Sequence, residues 1–247
     1  MKPMVLDIGG TNVKAWSPDG KLLQRLPTGK QFTPEQLLAA YETWRSRVDC
    51  EAVAVGIPAP VVSGRPAREP WNLGGGWIGF DYAGKFGVPV RMMNDAAMQA
   101  LGAYERGSML FLGLGTSVGS TLIVDGFVVP LELGSIPYSR NRTLDQMLCK
   151  RALHRSGQLR WRKAILRVLP KLHYAFATDY VVLGGGNARR VRGQLPEFVR
   201  VGGNRDAYLG GVRLWQASDF RRLHWIPTDA LEEHCRDDGS KNPYTSQ

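Results

Sequence analysis

Two Gly/Thr-rich turns in this 247-residue sequence have the composition needed to hold a chain of phosphates. The segment LDIGGTNVKAWSPDG (6–20) lines up with LGLGTSVGSTLIVDG (112–126) at a constant offset, pairing Leu6 with Leu112, Gly9 with Gly115, Asp19 with Asp125 and Gly20 with Gly126. A turn without Cβ atoms lets backbone N–H groups approach phosphate oxygens, and consecutive amides form an anion-binding nest. Gly9, Gly10 and Thr11 supply one such grip; Gly113, Gly115, Thr116 and Gly119 supply the other, with Lys14 and Ser117 assigned to the same phosphate side. Asp7 ends the strand before the first turn, where a carboxylate repels phosphate unless a cation lies between them. Mg²⁺ takes hard oxygen ligands and keeps several waters, so Asp7 is the candidate metal residue. The plainer alternatives are an ordinary hairpin connection for each turn and an Asp capping its own turn.

The elements that must position these groups follow from pattern. Each copy reads as a buried strand, a tight turn, a second strand and a hairpin closed by Asp-Gly. Two copies imply two similar lobes, bounded here as 1–106 and 107–217, with 218–247 as a tail given no function. Thr33-Pro34-Glu35 starts a helix over 33–48. Strands are expected at 52–62 and 88–93, and the segment Asp95 to Tyr104 suits a helix, for which the plainer reading of Asp95 is an N-cap. Helical pattern runs from about Arg142 to Phe176, with Pro170 expected to interrupt or kink it. A strand over 180–186 then runs into Gly184-Gly185-Gly186, followed by a helix from Ala207 to Ala217.

Composition excludes several classes. With 43% hydrophobic and 22% charged residues, the chain reads as an ordinary soluble α/β protein. No stretch approaches the roughly 20 apolar residues of a membrane span and no signal peptide is visible, so the expectation is a cytoplasmic protein with no membrane partner. Cys50, Cys149 and Cys235 form no close pair, which argues against a disulfide framework or a thiolate zinc site. The net charge of +10 suggests an anionic partner. Much of it sits between Arg140 and Lys171, where Asp145 is the lone acid. Either that segment tracks a long anion or it is a solvated helix face rich in arginine.

LDIGGTNVKAW, MNDAAMQALGAY (93–104), LGLGTSVGS, LELG (131–134) and VVLGGG (181–186) occur in the order found in the ROK family of sugar kinases. Over roughly residues 4–216 the chain resembles that family and, within it, the polyphosphate glucokinase branch. The resemblance implies an α/β, two-lobed actin-like fold, a duplicated ribonuclease H-like unit with mixed central sheets, with sugar and phosphoryl donor meeting in the cleft. It also implies that Asp95 is the general base. A sugar hydroxyl is a weak nucleophile, and a carboxylate within hydrogen-bond reach can take its proton as the P–O bond forms. Asn72, Asn94, Asp95 and Glu132 are implied as hexose contacts, and Gly184, Gly185 and Gly186 as the nucleotide-side turn. Trp71 and Trp77 flank the Asn72 loop as site walls or as packing, and Gly74-Gly75-Gly76 is expected to leave that loop free to move.

Two departures stand out. Ser135 occupies the place of a family histidine that contacts the sugar, and the family's cysteine-rich zinc segment is missing, so Mg²⁺ but no zinc is expected. The expected activity is transfer of a terminal phosphoryl group from ATP or polyphosphate to a hexose, with glucose the first choice and a homodimer an open possibility. The rivals are a non-catalytic sugar sensor, a kinase for another small alcohol, and a nucleic-acid binder. The last is disfavoured because the basic segment carries few aromatics for base stacking.

Overall fold

The computed structural model describes residues 1–203 and 205–216. The proposed tail, Cys235 and the Ala217 end of the last helix lie outside the described residues. Along the chain, β1 (Pro3–Ile8), β2 (Asn12–Trp16) and β3 (Leu22–Pro27) precede α1 (Pro34–Arg45) and β4 (Ala52–Ile57). A short hairpin, β5 (Val61–Val62) and β6 (Arg65–Pro66), leads to α2 (Tyr82–Phe86), β7 (Val90–Asn94) and α3 (Asp95–Ala103). The second half runs β8 (Ser108–Leu114), β9 (Val118–Val124), β10 (Phe127–Leu131), β11 (Pro137–Ser139), β12 (Arg142–Thr143), α4 (Leu144–Leu148), α5 (Lys150–Ala175), β13 (Tyr180–Gly184), β14 (Val199–Val201) and α6 (Asp206–Arg213).

The internal repeat is a repeat of topology. One sheet has the order β3-β2-β1-β4-β7 and the other β10-β9-β8-β13-β14, so β1 and β8 hold the same central place. In each, the central strand is antiparallel to the next strand in sequence and parallel to a later one. The Asp125-Gly126 turn has positive φ at both residues, whereas in the first copy only Gly20 does.

Alternation along the strands explains the layers. Met4, Leu6 and Ile8 of β1 join a core with Leu37, Tyr41 and Trp44 of α1. Leu110, Leu112 and Leu114 of β8 join one with Trp161, Ile165 and Leu169 of α5. The opposite faces, Val5 and Ala54 of one sheet and Met109, Phe111 and Val182 of the other, meet Ala97, Leu101 and Ala207 in a third core. Thus α3 and α6 lie between the two sheets, and α1 and α5 cover the outsides, a period-2 consequence of strands buried on both faces. The two central helices cross so closely that a Cβ on Gly102 would meet the Asp206 carbonyl, and one on Gly210 the Met98 carbonyl. Arg213 of α6 donates to the carbonyls of Leu101 and Tyr104 at the C-terminal end of α3, satisfying acceptors a helix end leaves open.

Two local expectations need correction. Pro170 lies inside α5 without interrupting it; the break falls at Gly157, whose φ of 77° and ψ of 159° are open essentially to glycine alone. Pro170 is exposed, so its ring sits on the solvent side, where a curved helix lengthens its ladder bonds. The N-cap of α3 is Asn94, whose Oδ1 accepts from the N–H groups of Ala96 and Ala97 at 3.0 and 3.1 Å. Asp95 is therefore the first helical residue. At α1 the expected start holds, with N-cap Thr33 and Gln36 at the third helical position forming a capping box around Pro34. Among the described residues, no helix is long and apolar enough to cross a membrane.

Candidate functional site

The chemistry-bearing residues converge at the carboxyl ends of the parallel strands, where open α/β sheets commonly bind ligands. Asp7, on β1, is cross-strand from Lys14 on one side and Gly56 on the other. Lys14 Nζ donates to Asp7 Oδ2 at 2.6 Å. Lys14, expected on the phosphate side, is thus engaged by the buried Asp7 carboxylate. Gly56 has no side chain, and a Cβ there would lie 3.4 Å from Asp95 Cα and collide with the end of Met98. On the other side of the same helical turn, Ala96 Cβ would lie 2.7 Å from a Cβ on Gly119. The first turn of α3 is seated between one glycine of each sheet, which places Asp95 at the junction of the two sheets.

This seat sets the acid's chemistry. Burial raises the Asp95 carboxyl from 3.8 to about 7, and the neighbouring Asp7 charge pushes the same way. The Ala96 N–H and Lys14 offset part of the rise. A carboxylate titrating near neutrality is suited to general-base work.

The two glycine turns face each other. Thr11 Oγ1 and Thr116 Oγ1 are 2.9 Å apart. Each turn is braced from behind: Thr28 donates through N and Oγ1 to the carbonyls of Thr11 and Gly9, at 3.0 and 2.6 Å. Asp145 Oδ1 accepts from Val118 N at 2.8 Å, and the Lys150 N–H at the start of α5 donates to Gly115 O at 2.8 Å. The lone acid of the basic segment therefore shapes the second turn. Among the described residues, the N–H groups of Gly10, Thr11, Thr116 and Ser117 donate to no protein acceptor, which leaves four donors for an anion at the junction.

The third glycine turn is bound to the second. Gly185, at φ 76°, would bring a Cβ within 2.9 Å of Leu114 N, and Asn187 donates through N and Nδ2 to Leu114 O at 3.0 and 3.1 Å. Gly184 lies against Phe111, while a Cβ on Gly186 would meet nothing within 4 Å, so backbone there is open to a ligand.

Beside the first turn, the Asn72 side chain packs on Gly10, its Nδ2 lying 3.3 Å from where a Cβ would stand. Asn94 uses Oδ1 for the helix cap and Nδ2 for Ala59 O at 3.3 Å, so its main service is to aim Asp95. Partial withdrawal from water raises the Glu132 carboxyl, and Arg68 from the opposite lobe counters it. Ser135 Oγ donates to Glu132 O at 2.7 Å; its hydroxyl closes a local turn. Trp77 is fully buried and packs beside Phe32, whereas Trp71 is 73% exposed. Gly74 is held through its N–H on Phe32 O at 2.9 Å, so the glycine run serves close packing at that position. Sequence reasoning gave no bracing role to Thr28 or Asp145, which hold the two turns; such contacts are legible only once the loops are placed.

Two lobes of one strand order, joined by crossed helices and opposed at two glycine turns, make a two-lobed, actin-like α/β fold that is shared with ROK-family structures. Its resemblances are then particular. The polyphosphate glucokinase of Mycobacterium leprae (strain TN) is 25% identical over 214 residues, covering 77% of this chain and 65% of that protein. The chain thus spans just under two thirds of that relative. The crystal structure of an inorganic polyphosphate/ATP-glucomannokinase from Arthrobacter sp. strain KM superposes with a TM-score of 0.71 at 24% identity, over 85% of this chain and 96% of that one. A ROK family glucokinase from Streptomyces griseus, solved with glucose and AMPPNP, gives 0.64 at 17% identity over 87% and 99%. No family model matches the chain.

Proposed function

We propose that this chain is a sugar kinase that transfers a terminal phosphoryl group from polyphosphate or ATP to a hexose hydroxyl, with glucose to glucose 6-phosphate as the leading reaction. The observation that carries the reading is the seat of Asp95: a carboxyl titrating near 7, at the helix start lodged between Gly56 and Gly119, beside two turns whose threonines touch. Asp95 takes the hydroxyl proton while the sugar oxygen forms its bond to phosphorus. The bond to the donor's bridging oxygen breaks, and its electron pair leaves with the shortened donor. The free N–H groups of both turns hold the phosphates in line and offset developing charge. Asp7, whose Oδ2 accepts from Lys14 at 2.6 Å, would hold Mg²⁺ through its remaining oxygen, and the ion would supply charge neutralisation on the phosphates. Asn72 and Glu132 are assigned to the hexose.

The donor reading draws on α5. Arg160, Lys163, Arg167 and Lys171 are exposed at spacings of three and four, one face of a helix whose first N–H binds the second turn. Such a stripe suits a long polyanion, while the open backbone at Gly186 suits a nucleotide. The deciding experiment is a panel of ATP and polyphosphate against glucose, mannose, fructose and N-acetyl amino sugars with Mg²⁺. Turnover with any pair supports the kinase. Sugar binding without turnover across the panel assigns the fold to a sensor.

A further inference from the structure

The loop that carries Asn72 is closed by a carboxylate. Glu69 Oε2 accepts from Trp77 N at 3.1 Å and Glu69 Oε1 from Ile78 N at 3.3 Å. Every other polar group of Trp77 is used as well: its Nε1 donates to Gly74 O at 2.8 Å and its carbonyl accepts from Tyr82 Oη at 2.9 Å. With its ring fully buried, Trp77 anchors the C-terminal end of the loop, and the Leu73 N–H bonded to Pro70 O at 2.9 Å tightens the tip. The side chain delivered by this construction is Asn72, packed on Gly10 of the first phosphate turn.

We propose that Glu69 is a positioning residue for the acceptor: by joining the two ends of the 69–78 loop it holds Asn72 at the place where the sugar binds. The proposal rests on the sugar-kinase reading for what Asn72 contacts, but the clasp itself is a property of the loop. Glu69 reaches the loop through both oxygens, so a neutral amide, with one acceptor, retains only half of the clasp. Hydrogen bonds from backbone N–H to a charged acceptor are among the stronger ones in proteins.

The test compares Glu69→Ala and Glu69→Gln with the parent, by steady-state kinetics and by hydrogen exchange at the Trp77 and Ile78 amides. Glu69→Ala removes both bonds of the clasp and is expected to raise the KM for the sugar about tenfold or more, with kcat and the donor KM within about twofold. Glu69→Gln should fall between. A double variant with Asn72→Ala should be no worse than Asn72→Ala alone, because both act through one side chain. Exchange at the two amides should rise in Glu69→Ala while the exchange of β1 and β4 stays as in the parent. Unchanged exchange at both amides, or equal losses in kcat and in both KM values, overturns the proposal. Faster exchange in a protein whose parent turns over no sugar leaves the clasp standing and removes the sugar-kinase reading instead.

Discussion

Thr11 Oγ1 and Thr116 Oγ1, from equivalent turns of the two halves, are 2.9 Å apart. One hydroxyl donates to the other, so a phosphate entering the junction exchanges this bond for two of its own. Thr11→Val and Thr116→Val keep the side-chain shape and remove one partner each. Each is expected to raise the donor KM about tenfold with little change in the sugar KM, and the double variant should cost less than the two singles combined. Initial rates against donor concentration give the answer; independent, additive effects would mean the hydroxyls do not share a phosphate.

Asp95→Asn removes the proposed base while leaving the Asn94 cap intact. Turnover should fall on the order of 10²–10⁴-fold, with sugar affinity by titration calorimetry close to the parent's. Near-normal turnover would take Asp95 out of the mechanism.

The same acid makes a pH prediction. Asp95 titrates at 3.8 when unperturbed and at about 7 in the fold. Between those values the folded state holds the extra proton, so this group's stabilising contribution is complete below pH 3.8 and is lost as pH rises through 7. Asp95→Asn should therefore melt above the parent at pH 8, by about 2–4 °C per kcal/mol regained, with the gap closing by pH 4. Activity runs the opposite way, with kcat/KM rising through about pH 7 as the base loses its proton. Thermal melts at pH 4, 6 and 8 check the first statement and a pH–rate profile the second.

Gly210→Ala places a methyl against the Met98 carbonyl of α3. Backbone cannot retreat as a flexible side chain can, so the cost should reach about 1–3 kcal/mol or more. Because α3 carries Asp95, turnover should fall along with the melting temperature. Denaturant unfolding beside kinetics measures both; a variant as stable as the parent would show that the helix crossing can loosen freely.

Charge reversal along α5 separates the donors. Arg160→Glu with Lys163→Glu should raise the KM for polyphosphate several-fold more than that for ATP, with the difference shrinking at high salt. Arg162 is a poor choice for this test because its guanidinium donates to Gln194 O at 2.7 Å and helps hold that loop. Equal effects on both donors would make the stripe a solvated face.

The sequence alone determined what depends on near neighbours. The glycine turns at 9–11 and 113–119 and the Thr33 cap are written in a few adjacent residues. The offset between the two LxxG copies was enough to announce two halves of like topology, because backbone conformation and strand alternation are local properties. Tertiary structure decided which of these parts meet. That Asp95 is lodged between Gly56 and Gly119, that Asn94 rather than Asp95 caps α3, and that Glu69 and Asp145 brace the two ligand loops are pairings the chain order does not encode. The break at Gly157, where Pro170 had been the expected interruption, was settled by which residue could adopt a glycine-only conformation and which could face solvent. Asp95 shows the division most plainly: its identity and its neighbours in MNDAA were legible, but its elevated pKa arises from burial and from Asp7, a residue brought near it by the parallel pairing of β1 with β4 and of β4 with β7.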